Sequence, residues 1–481
     1  MIQWALIART LGHLLMAYAV SLLLPLAVSL LYRDGLADRF FWLALTLFVS
    51  GFLISRRTSR SEPRTREGIV IVVLAWTLLS IVGALPFWVS LPCSLVDAVF
   101  ESTSGLTTTG ATVFSGLDTM AKSLLWYRQQ LHFFGGMGVL ILAVAILPML
   151  KVGGMQLYKT EATGPIKDDK IAPRVRQTAR TLFTVYASII VATTVLYFLA
   201  GMSMFDAISH AISAISTGGF ANYDASIGHY QSVAIEWITI LAMLAGGMNM
   251  GLHFVVWREK SLGRYLVDQE FRAFLFFVLL AITLVVFAGM LEQAALGFLH
   301  WLRVASFTIV SIITTTGFGI ADFSQWPLYA PILVIFISFI GGCAGSTAGG
   351  MKVLRVFLLF KQASREAKHL VQPNIVAHIK YNGRLVPDGI ASGIWGFFAL
   401  YVFATGIFTL LMIGAGLEPT VAFSAVAAMI NNMGPGLGEV STTFASVSPF
   451  GKTVAIAAML FGRLEIMTIF VLFTPIFWRR F

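Results

Sequence analysis

Four segments of the chain place hydroxyl or amide side chains beside a glycine in one shared register. They read DAVFESTSGLTTTGA at 97–111, DAISHAISAISTGGF at 206–220, VASFTIVSIITTTGF at 304–318 and VAFSAVAAMINNMGP at 421–435. Aligned without gaps, they share an alanine near the start and a glycine near the end, namely Gly110, Gly219, Gly317 and Gly434. Glycine allows turns that redirect backbone carbonyl groups, and rings of carbonyl oxygens can replace the hydration shell of a potassium ion. The repetition therefore indicates cation coordination by the backbone.

The third copy carries this signal most strongly. Its end, Thr315-Thr316-Gly317-Phe318-Gly319, is close in type to the TVGYG loop of tetrameric potassium channels, whereas the other copies keep only the glycine in register. One such turn would more often be a cap on a short helix. Four turns in register favour a simpler filter that is assembled from a single chain.

The composition requires a membrane protein. Of the 481 residues, 57% are hydrophobic and only 12% are charged, and the mean hydropathy is +0.83. The core of a soluble domain does not need this much apolar material. The net charge of +10 is attributed to basic cytoplasmic loops rather than to nucleic-acid binding. Two cysteines in different contexts do not indicate a disulfide framework.

The hydrophobic pattern predicts ten spans with half-helices between them. Segments of spanning length run roughly over 4–32, 38–55, 68–90, 123–147, 180–200, 231–256, 271–290, 327–360, 386–413 and 449–478. Four shorter apolar runs, which end at Thr107, Ser216, Thr314 and Asn431, fall between spans. Each is about ten residues, or roughly 15 Å as a helix, which is half of the hydrocarbon core. These runs are predicted to enter the membrane without crossing it, and they are called half-helices below.

Charge predicts the orientation of the chain. Most of the 33 basic residues fall in loops 56–66, 151–180, 258–272 and 352–384 and at both ends of the chain. This side is expected to be cytoplasmic, with both termini inside. The opposite loops and the half-helices carry mostly acids, and an acidic mouth attracts cations.

A glycine-rich stretch interrupts the long segment 327–360. Residues 341–350 read GGCAGSTAGG, and five glycines in ten residues disfavour a continuous helix. Gly341, Gly345 and Gly349 are also spaced by four, a pattern typical of close helix packing in membranes. From the residues alone, this stretch is equally compatible with a break in the helix and with a surface for close helix packing.

Two arginines, Arg128 and Arg463, lie in predicted spans and cannot be assigned to a loop. Arg463 lies about 15 residues before the basic C-terminus, too deep for easy snorkelling, so a role beside the pore is favoured, with Glu465 or loop carbonyls as partners. Arg128, beside Trp126 and Tyr127, is interpreted as an interfacial anchor. The isolated histidines His132, His210 and His253 are interpreted as packing or interfacial residues.

With these features in place, the chain resembles the TrkH-type subunits of the Trk/Ktr/HKT potassium transporters. The resemblance covers nearly the whole chain and is carried by STSGLTTTGAT at 102–112, ISTGGF at 215–220, ITTTGFG at 313–319, INNMGPGLG at 430–438 and FIGGCAGSTAGGMKVLR at 339–355. It implies an all-α polytopic membrane protein with two accessory transmembrane helices and four pseudo-fourfold helix–pore loop–helix repeats around one central pore. The corresponding divisions are the accessory pair at 1–67, then 68–150, 151–257, 258–361 and 362–481, with cytoplasmic loops opening the second and the last repeat.

The resemblance also assigns residues. The expected potassium filter is Thr108, Thr109, Gly110, Thr217, Gly218, Gly219, Thr315, Thr316, Gly317, Asn432, Met433 and Gly434. For residues 341–350, the resemblance favours a helix break over a packing seam, and it implies an unwound intramembrane loop that obstructs the pore. The expected gate is Gly345, Ser346, Thr347, Ala348, Gly349, Lys352 and Arg463, with the hydroxyls of Ser346 and Thr347 offered to a passing ion.

The same resemblance implies partners and place. Such proteins are homodimers of the bacterial inner membrane with one pore per protomer, and a cytosolic nucleotide-binding ring of the TrkA type gates them. Potassium is then the transported ion, and no organic cofactor is expected on this chain. No Walker or Rossmann motif occurs, so nucleotide control would need the separate partner. The loop 151–180 is interpreted either as a solvated segment near anionic lipid or as a docking site for that ring.

Three alternatives remain at this stage. A sodium- or proton-coupled potassium symporter of the same superfamily has the same expected fold. A non-conducting scaffold subunit is also compatible with the pattern. An integral-membrane enzyme that uses Glu101, His210 or Glu236 is disfavoured, because these residues are scattered and form no nucleophile–base set.

Overall fold

The computed structural model describes residues 2–56, 65–145 and 171–479, which are mostly helical. Most of the predicted loop 151–180, up to residue 170, lies outside the described residues. The first helices are α1 (Trp4–Ser21), α2 (Leu23–Tyr32), α3 (Ala37–Ser55), α4 (Thr65–Val82), α5 (Leu85–Ser90), α6 (Leu95–Leu106), α7 (Lys122–Ala145), α8 (Ile171–Leu199), α9 (Met204–Ile215), α10 (Val233–Gly247) and α11 (Met250–Glu259). They are followed by α12 (Gly263–Val267), α13 (Gln269–Glu292), α14 (Phe298–Ile313), α15 (Ala330–Ser338), α16 (Val353–Val371), α17 (Asp388–Gly414), α18 (Pro419–Ile430), α19 (Pro449–Arg463), α20 (Ile466–Leu472) and α21 (Pro475–Trp478). A two-stranded antiparallel hairpin, β1 (Lys380–Tyr381) and β2 (Arg384–Leu385), separates α16 from α17.

Several of these helices are long and apolar enough to cross a membrane. Among the described residues they are Trp4–Tyr32, Ala37–Ser55, Arg66–Ser90, Gln177–Leu199, Gln269–Glu292 and Asp388–Gly414. Two bent pairs, α10 with α11 and α19 with α20, raise the number from six to eight if each pair is one span. These helices are consistent with the predicted membrane class, although they are fewer than the ten predicted spans.

The missing spans have physical reasons. Helix α7 is long enough, but Arg128, Gln129, Gln130 and His132 interrupt its apolar sequence. The predicted span 327–360 is divided, because residues 339–352 between α15 and α16 are not helical. Its first part, α15, has only nine residues.

Two predicted spans turn out to be sharply bent. The segment 231–256 bends by 100° between α10 and α11, where the side chain of Asn249 accepts hydrogen bonds from the N–H groups of Gly251 and Leu252 and so starts a new helix. The segment 449–478 bends by 106° after Arg463, and Glu465 adopts a φ of 59° there. At the first bend, the helix that follows is therefore capped by a side chain.

The four half-helices are α6, α9, α14 and α18. They contain 12, 12, 16 and 12 residues, somewhat more than predicted. The first two begin with a serine cap, in which the hydroxyl of Ser94 or Ser203 accepts from the N–H three residues later. Their C-terminal halves are almost entirely buried. The fold therefore places four helix ends in the interior of the protein.

The first helices pack against α7. The side chain of Gln130 donates to the carbonyl of Ser21 at 3.0 Å, and the hydroxyls of Tyr18 and Tyr127 are hydrogen-bonded to each other. Between α2 and α3, the carboxylate of Asp34 accepts from the N–H of Ser123 at 2.9 Å. These bonds join α1–α3 to the helix that follows the first half-helix.

Candidate ion pathway

The four half-helices end in the same backbone geometry. Two positions after the last helical residue, φ is positive at residues that are not glycine: 52° at Thr108, 51° at Thr217, 54° at Thr315 and 53° at Asn432. Such angles are uncommon for residues with a side chain and need support from their surroundings. Two residues further on, φ is 81° at Gly110, Gly219 and Gly317 and 99° at Gly434.

A repeated hydrogen bond supports this turn. The N–H that follows the positive-φ residue donates to a carbonyl five residues earlier, as in a Schellman cap. The donor–acceptor pairs are Thr109 to Ser104, Gly218 to Ser213, Thr316 to Ser311 and Met433 to Ala428, at 2.7–2.8 Å. Each copy thus ends its helix and exits in the same direction relative to its own axis.

The four turns pack against one another in a closed cycle. A Cβ added at Gly110 would lie 2.1 Å from the carbonyl oxygen of Gly218, and one at Gly219 would lie 1.9 Å from that of Thr316. The third and fourth contacts follow the same rule, from Gly317 to the carbonyl of Met433 and from Gly434 to that of Thr109. Only glycine fits at such approaches. The cycle of Gly110, Gly219, Gly317 and Gly434 is called the glycine ring below.

Side chains near the glycine ring are largely bonded to protein atoms. The hydroxyls of Thr109 and Thr316 are hydrogen-bonded to those of Thr107 and Thr314, at 2.7 and 2.8 Å. The side chain of Asn432 donates to the hydroxyl of Thr109 at 3.0 Å and so links the fourth copy to the first. Backbone carbonyl oxygens are therefore the abundant groups that can serve a cation here.

A cavity opens beside the glycine ring. It measures about 310 Å³ and is lined by all four ring glycines and by residues that follow them in each copy. Asp224 and Asp322 contribute to its lining. Carboxylates at the rim of a cavity raise the local concentration of cations.

Residues 341–350, called the glycine-rich loop below, lie on the other side of the ring. The N–H of Gly349 donates to the hydroxyl of Thr315 at 2.7 Å, and the N–H of Gly350 donates to the carbonyl of Asn431 at 3.1 Å. The hydroxyl of Thr347 donates to the carbonyl of Ile215 at 2.8 Å. The loop thus bonds to residues that precede the ring glycines, whereas the cavity is lined mostly by the ring glycines and by residues that follow them.

The glycine-rich loop also bonds to the bend between α10 and α11. The N–H of Cys343 donates to the carbonyl of Gly247 at 2.8 Å, and the N–H of Met250 donates to the carbonyl of Gly345 at 3.1 Å. Gly341, Gly345 and Gly350 adopt φ values of 72–74°, which no α-helix contains. The helix-packing interpretation of this stretch is therefore wrong.

Arg463 contacts the glycine-rich loop directly. Its Nη1 donates to the carbonyl of Thr347 at 2.9 Å and its Nη2 to the carbonyl of Gly135 at 3.1 Å. The side chain is only 4% exposed. Of the two kinds of partner predicted for it, loop carbonyls are observed, while Glu465 pairs with Arg355 at 2.7 Å.

Lys352 and Ser346 have local roles. The Nζ of Lys352 donates to the carbonyl of Ala348, and Lys352 itself adopts a φ of 77°. The hydroxyl of Ser346 donates to the carbonyl of Cys343 at 2.6 Å. Both loop hydroxyls thus donate their hydrogens to backbone carbonyls, and the expectation that their oxygens face a passing ion stays a prediction.

Glu270 is a loop contact that the sequence analysis missed. It lies in the first turn of α13, is 2% exposed, and accepts from the N–H of Ala344 at 2.5 Å. The preceding residues bind the hairpin, because Asn382 accepts from the N–H of Gln269 at 3.0 Å and donates to Asp268 at 2.9 Å. Glu270 precedes the predicted span 271–290 and lies between the charged residues Asp268 and Arg272, so no feature of the sequence indicated that it is buried.

Arg128 is not an interfacial anchor, and that prediction is wrong. It is 1% exposed and forms an ion pair with Glu101, with 2.8 Å between Nε and Oε1. The sequence interpretation failed because it placed Arg128 by its distance from the helix end. A buried acid on the half-helix α6 was the missed signal, since it requires a partner.

Two of the three isolated histidines are buried and pack inside the protein, as predicted. His132 is buried, stacks on Phe220 with ring centroids 4.3 Å apart, and lies 3.2 Å from the hydroxyl of Ser213. His210 is also buried and accepts from the N–H of Asn222. Among the described residues no group of His, Cys, Asp and Glu could hold a metal ion.

Comparisons with known proteins agree with this arrangement. The model of the TrkH family, described as cation transport protein, matches residues 38–479. The Trk system potassium uptake protein TrkH of Salmonella typhimurium is 47% identical over 481 residues, covering 98% of this chain and 99% of the relative. The protein of the same name from Escherichia coli K12 is 46% identical over 483 residues, with 98% and 99% covered. The crystal structure of the potassium transporter TrkH from Vibrio parahaemolyticus is 44% identical, with a TM-score of 0.92 over 99% of this chain and 100% of that one.

Proposed function

The chain belongs to the TrkH family of cation transport proteins, and on this basis we propose that it is a potassium-selective uptake pore of the bacterial inner membrane. The names of its relatives support potassium as the transported ion. The observation that carries the proposal is the glycine ring, in which four turns of one chain contact each other in a closed cycle. No catalytic step is needed for this activity.

The filter of this pore consists of the backbone around the ring. The three residues that end at each ring glycine, 108–110, 217–219, 315–317 and 432–434, supply carbonyl oxygens for the dehydrated ion. The C-terminal ends of the half-helices carry partial negative charge, which favours a cation at the same place. The hydroxyls of Thr109 and Thr316 are hydrogen-bonded to those of Thr107 and Thr314, which supports backbone coordination at these two positions. In this proposal the four repeats form a pseudo-fourfold pore and α1–α3 are accessory.

The glycine-rich loop is the gate of this pore. Its bonds to the second, third and fourth half-helices support a position across the ion path on the inner side of the ring. Residues 345–349 form the obstruction, and Lys352 and Arg463 hold it through the carbonyls of Ala348 and Thr347. The positive charge of Arg463 adds an electrostatic barrier to cations at this level.

The partners follow from the family. The relatives carry the name of a Trk system, which supports a separate regulatory component of the TrkA type on the cytosolic side. The chain is proposed to form a homodimer with one pore in each protomer and with both termini in the cytoplasm. Because the sequence contains no nucleotide-binding motif, nucleotides act on the pore through the regulator.

Cation-resolved flux tests the proposal. The purified chain is reconstituted into liposomes, and uptake of K⁺, Rb⁺ and Na⁺ is measured with and without a potential of defined sign. Potential-driven K⁺ uptake that exceeds Na⁺ uptake and needs no second ion is the expected result. Absence of any cation uptake by folded protein, both alone and with the regulator, would point to a scaffold subunit and refute the pore.

The same measurement distinguishes a pore from an ion-coupled symporter. A sodium- or proton-coupled symporter would take up K⁺ only when the second ion is present, and its rate would follow the gradient of that ion. A pore would show K⁺ uptake in sodium-free medium at constant pH. The comparison uses one protein preparation and changes only the ions.

A further inference from the structure

A buried ion pair stands beside the glycine ring. Glu101 on α6 and Arg128 on α7 are 0% and 1% exposed, with 2.8 Å between the charged atoms. Removing two charges from water is costly, so a pair like this persists only when further hydrogen bonds satisfy the remaining atoms. The identity of those further partners shows what the pair holds in place.

Glu101 holds the segment that leaves the ring in the first copy. Its carboxylate accepts from the hydroxyl of Thr112, at 2.9 and 3.0 Å, and from the N–H of Val113 at 3.1 Å. These residues follow Gly110 by two and three positions. The exit of the first ring segment is therefore attached to its own half-helix by a carboxylate.

Arg128 holds the corresponding segment of the second copy. Its Nη1 donates to the carbonyl of Ala221 at 2.9 Å, and its guanidinium lies 4.0 Å from the centre of the Phe220 ring. These residues follow Gly219 directly. One ion pair thus fixes the exits of two adjacent ring segments to each other.

The fourth copy is joined to the same place. The carbonyl of Thr112 accepts from the N–H of Phe444 at 2.8 Å and from the hydroxyl of Thr443 at 3.2 Å. Thr112 therefore connects the carboxylate of Glu101 on one side with the segment after Gly434 on the other. Three of the four ring segments meet through this network.

The residue that follows the ring glycine differs between the first copy and the other three. Phe220, Phe318 and Pro435 follow the ring glycine in the second, third and fourth copies, whereas the first copy has the small Ala111. The two phenylalanines are 1% and 3% exposed and anchor their segments by burial. Ala111 is also buried but offers only a methyl group for packing, and in this copy the carboxylate of Glu101 binds the two residues that follow it.

From these contacts we infer that Glu101 and Arg128 are positioning residues that determine potassium selectivity by fixing the ring segments of the first and second copies. This inference rests on the proposed function, since it assigns a role within the same filter. Arg128 also lines the cavity beside the ring, where an unbalanced positive charge would repel entering cations. Glu101 therefore has two tasks, to hold the segment and to neutralise Arg128.

Two variants separate these tasks. Glu101→Gln keeps the shape but leaves the charge of Arg128 unbalanced, so both the K⁺ uptake rate and the K⁺/Na⁺ uptake ratio are expected to fall. The double variant Glu101→Gln/Arg128→Met removes both charges, so the rate is expected to recover in part while the ratio stays low. Loss of one charge-assisted hydrogen bond predicts a fall of about tenfold in the ratio.

A matched control is available on neighbouring elements. Glu236 on α10 pairs with Arg303 on α14, with 3.3 Å between the charged atoms and with the carboxylate side chain 8% exposed. Glu236→Gln is expected to leave both the rate and the ratio unchanged. Arg128→Lys keeps the charge but loses the bond to Ala221. It tests the same inference if Glu101→Gln does not fold.

The experiment uses the full chain in liposomes, with size-exclusion profiles to verify folding. A lowered K⁺/Na⁺ ratio in Glu101→Gln or Arg128→Lys, with the ratio of Glu236→Gln at the wild-type value, supports the inference. A wild-type ratio in both folded variants overturns it and leaves the pore intact. Wild-type protein that does not discriminate between K⁺ and Na⁺ overturns the proposed function and this inference with it.

Discussion

Replacement of Gly317 by serine is the most direct perturbation of the glycine ring. Gly317 has a φ of 81°, and an added Cβ would lie 2.1 Å from the carbonyl oxygen of Met433 and 3.0 Å from the Cδ of Pro435. Gly319, two residues later, has no positive φ and no heavy atom within 4 Å of an added Cβ. The variants Gly317→Ser and Gly319→Ser therefore make the same chemical change at two neighbouring positions with different surroundings.

The size of the effect at Gly317 follows from this geometry. Ordinary contacts of a Cβ begin near 3.4 Å, so the carbonyl of Met433 has to move by more than 1 Å to accept the new atom. The left-handed backbone costs a further 1–2 kcal/mol or so for a residue with a side chain. In the proposed filter, a carbonyl displaced by this distance would no longer coordinate the ion as its three counterparts do. At about 1.4 kcal/mol for each factor of ten, loss of one such contact lowers the K⁺/Na⁺ preference roughly tenfold or more.

The assay is uptake of K⁺ and Na⁺ into liposomes that contain each purified variant. Gly317→Ser is expected to lose most of its preference for K⁺, and Gly319→Ser is expected to keep the wild-type preference. A wild-type preference in folded Gly317→Ser would refute the assignment of the ring as filter. Equal losses in both variants would indicate a general effect on the loop and would also contradict the reasoning.

Three further predictions concern the gate. Deletion of residues 345–349 removes the proposed obstruction and is expected to raise K⁺ uptake; unchanged uptake by folded protein in liposomes would contradict a gating role. Arg463→Gln removes a positive charge and the bond to the loop carbonyl, so K⁺ uptake should rise several-fold, whereas Arg463→Lys, which keeps the charge, should raise it less. Glu270→Ala leaves the N–H of Ala344 without its acceptor and should raise basal uptake in the absence of the regulator, while Glu292→Ala, at the exposed end of the same helix, should match the wild type.

The membrane class and the family could be identified from the sequence because they depend on features that repeat. Long apolar runs and glycines at constant offsets remain visible without knowledge of neighbours in space. The shared positive φ values at Thr108, Thr217, Thr315 and Asn432 occur at equivalent positions of the four aligned segments. A gapless alignment within one chain carries this information, because equivalent residues have equivalent backbone geometry.

Pairings over long sequence distances could not be predicted in this way. Arg128 was placed wrongly because its partner, Glu101, lies 27 residues earlier on another helix. The spacing of Gly341, Gly345 and Gly349 fits a helix seam as well as a loop, and only the contacts with other copies decide between them. The bends after α10 and α19 were also missed, since hydropathy averages over them.

The fourth contact of the glycine ring has a consequence for biosynthesis. A Cβ at Gly434 would lie 2.8 Å from the carbonyl of Thr109, a looser approach than at the other three positions, and this contact joins the first-made copy to the last-made one. Chains emerge from the ribosome in order, and their N-terminal parts fold first. The cycle of four contacts therefore cannot close before the last copy has been synthesised, and Gly434 completes it by packing against the first copy.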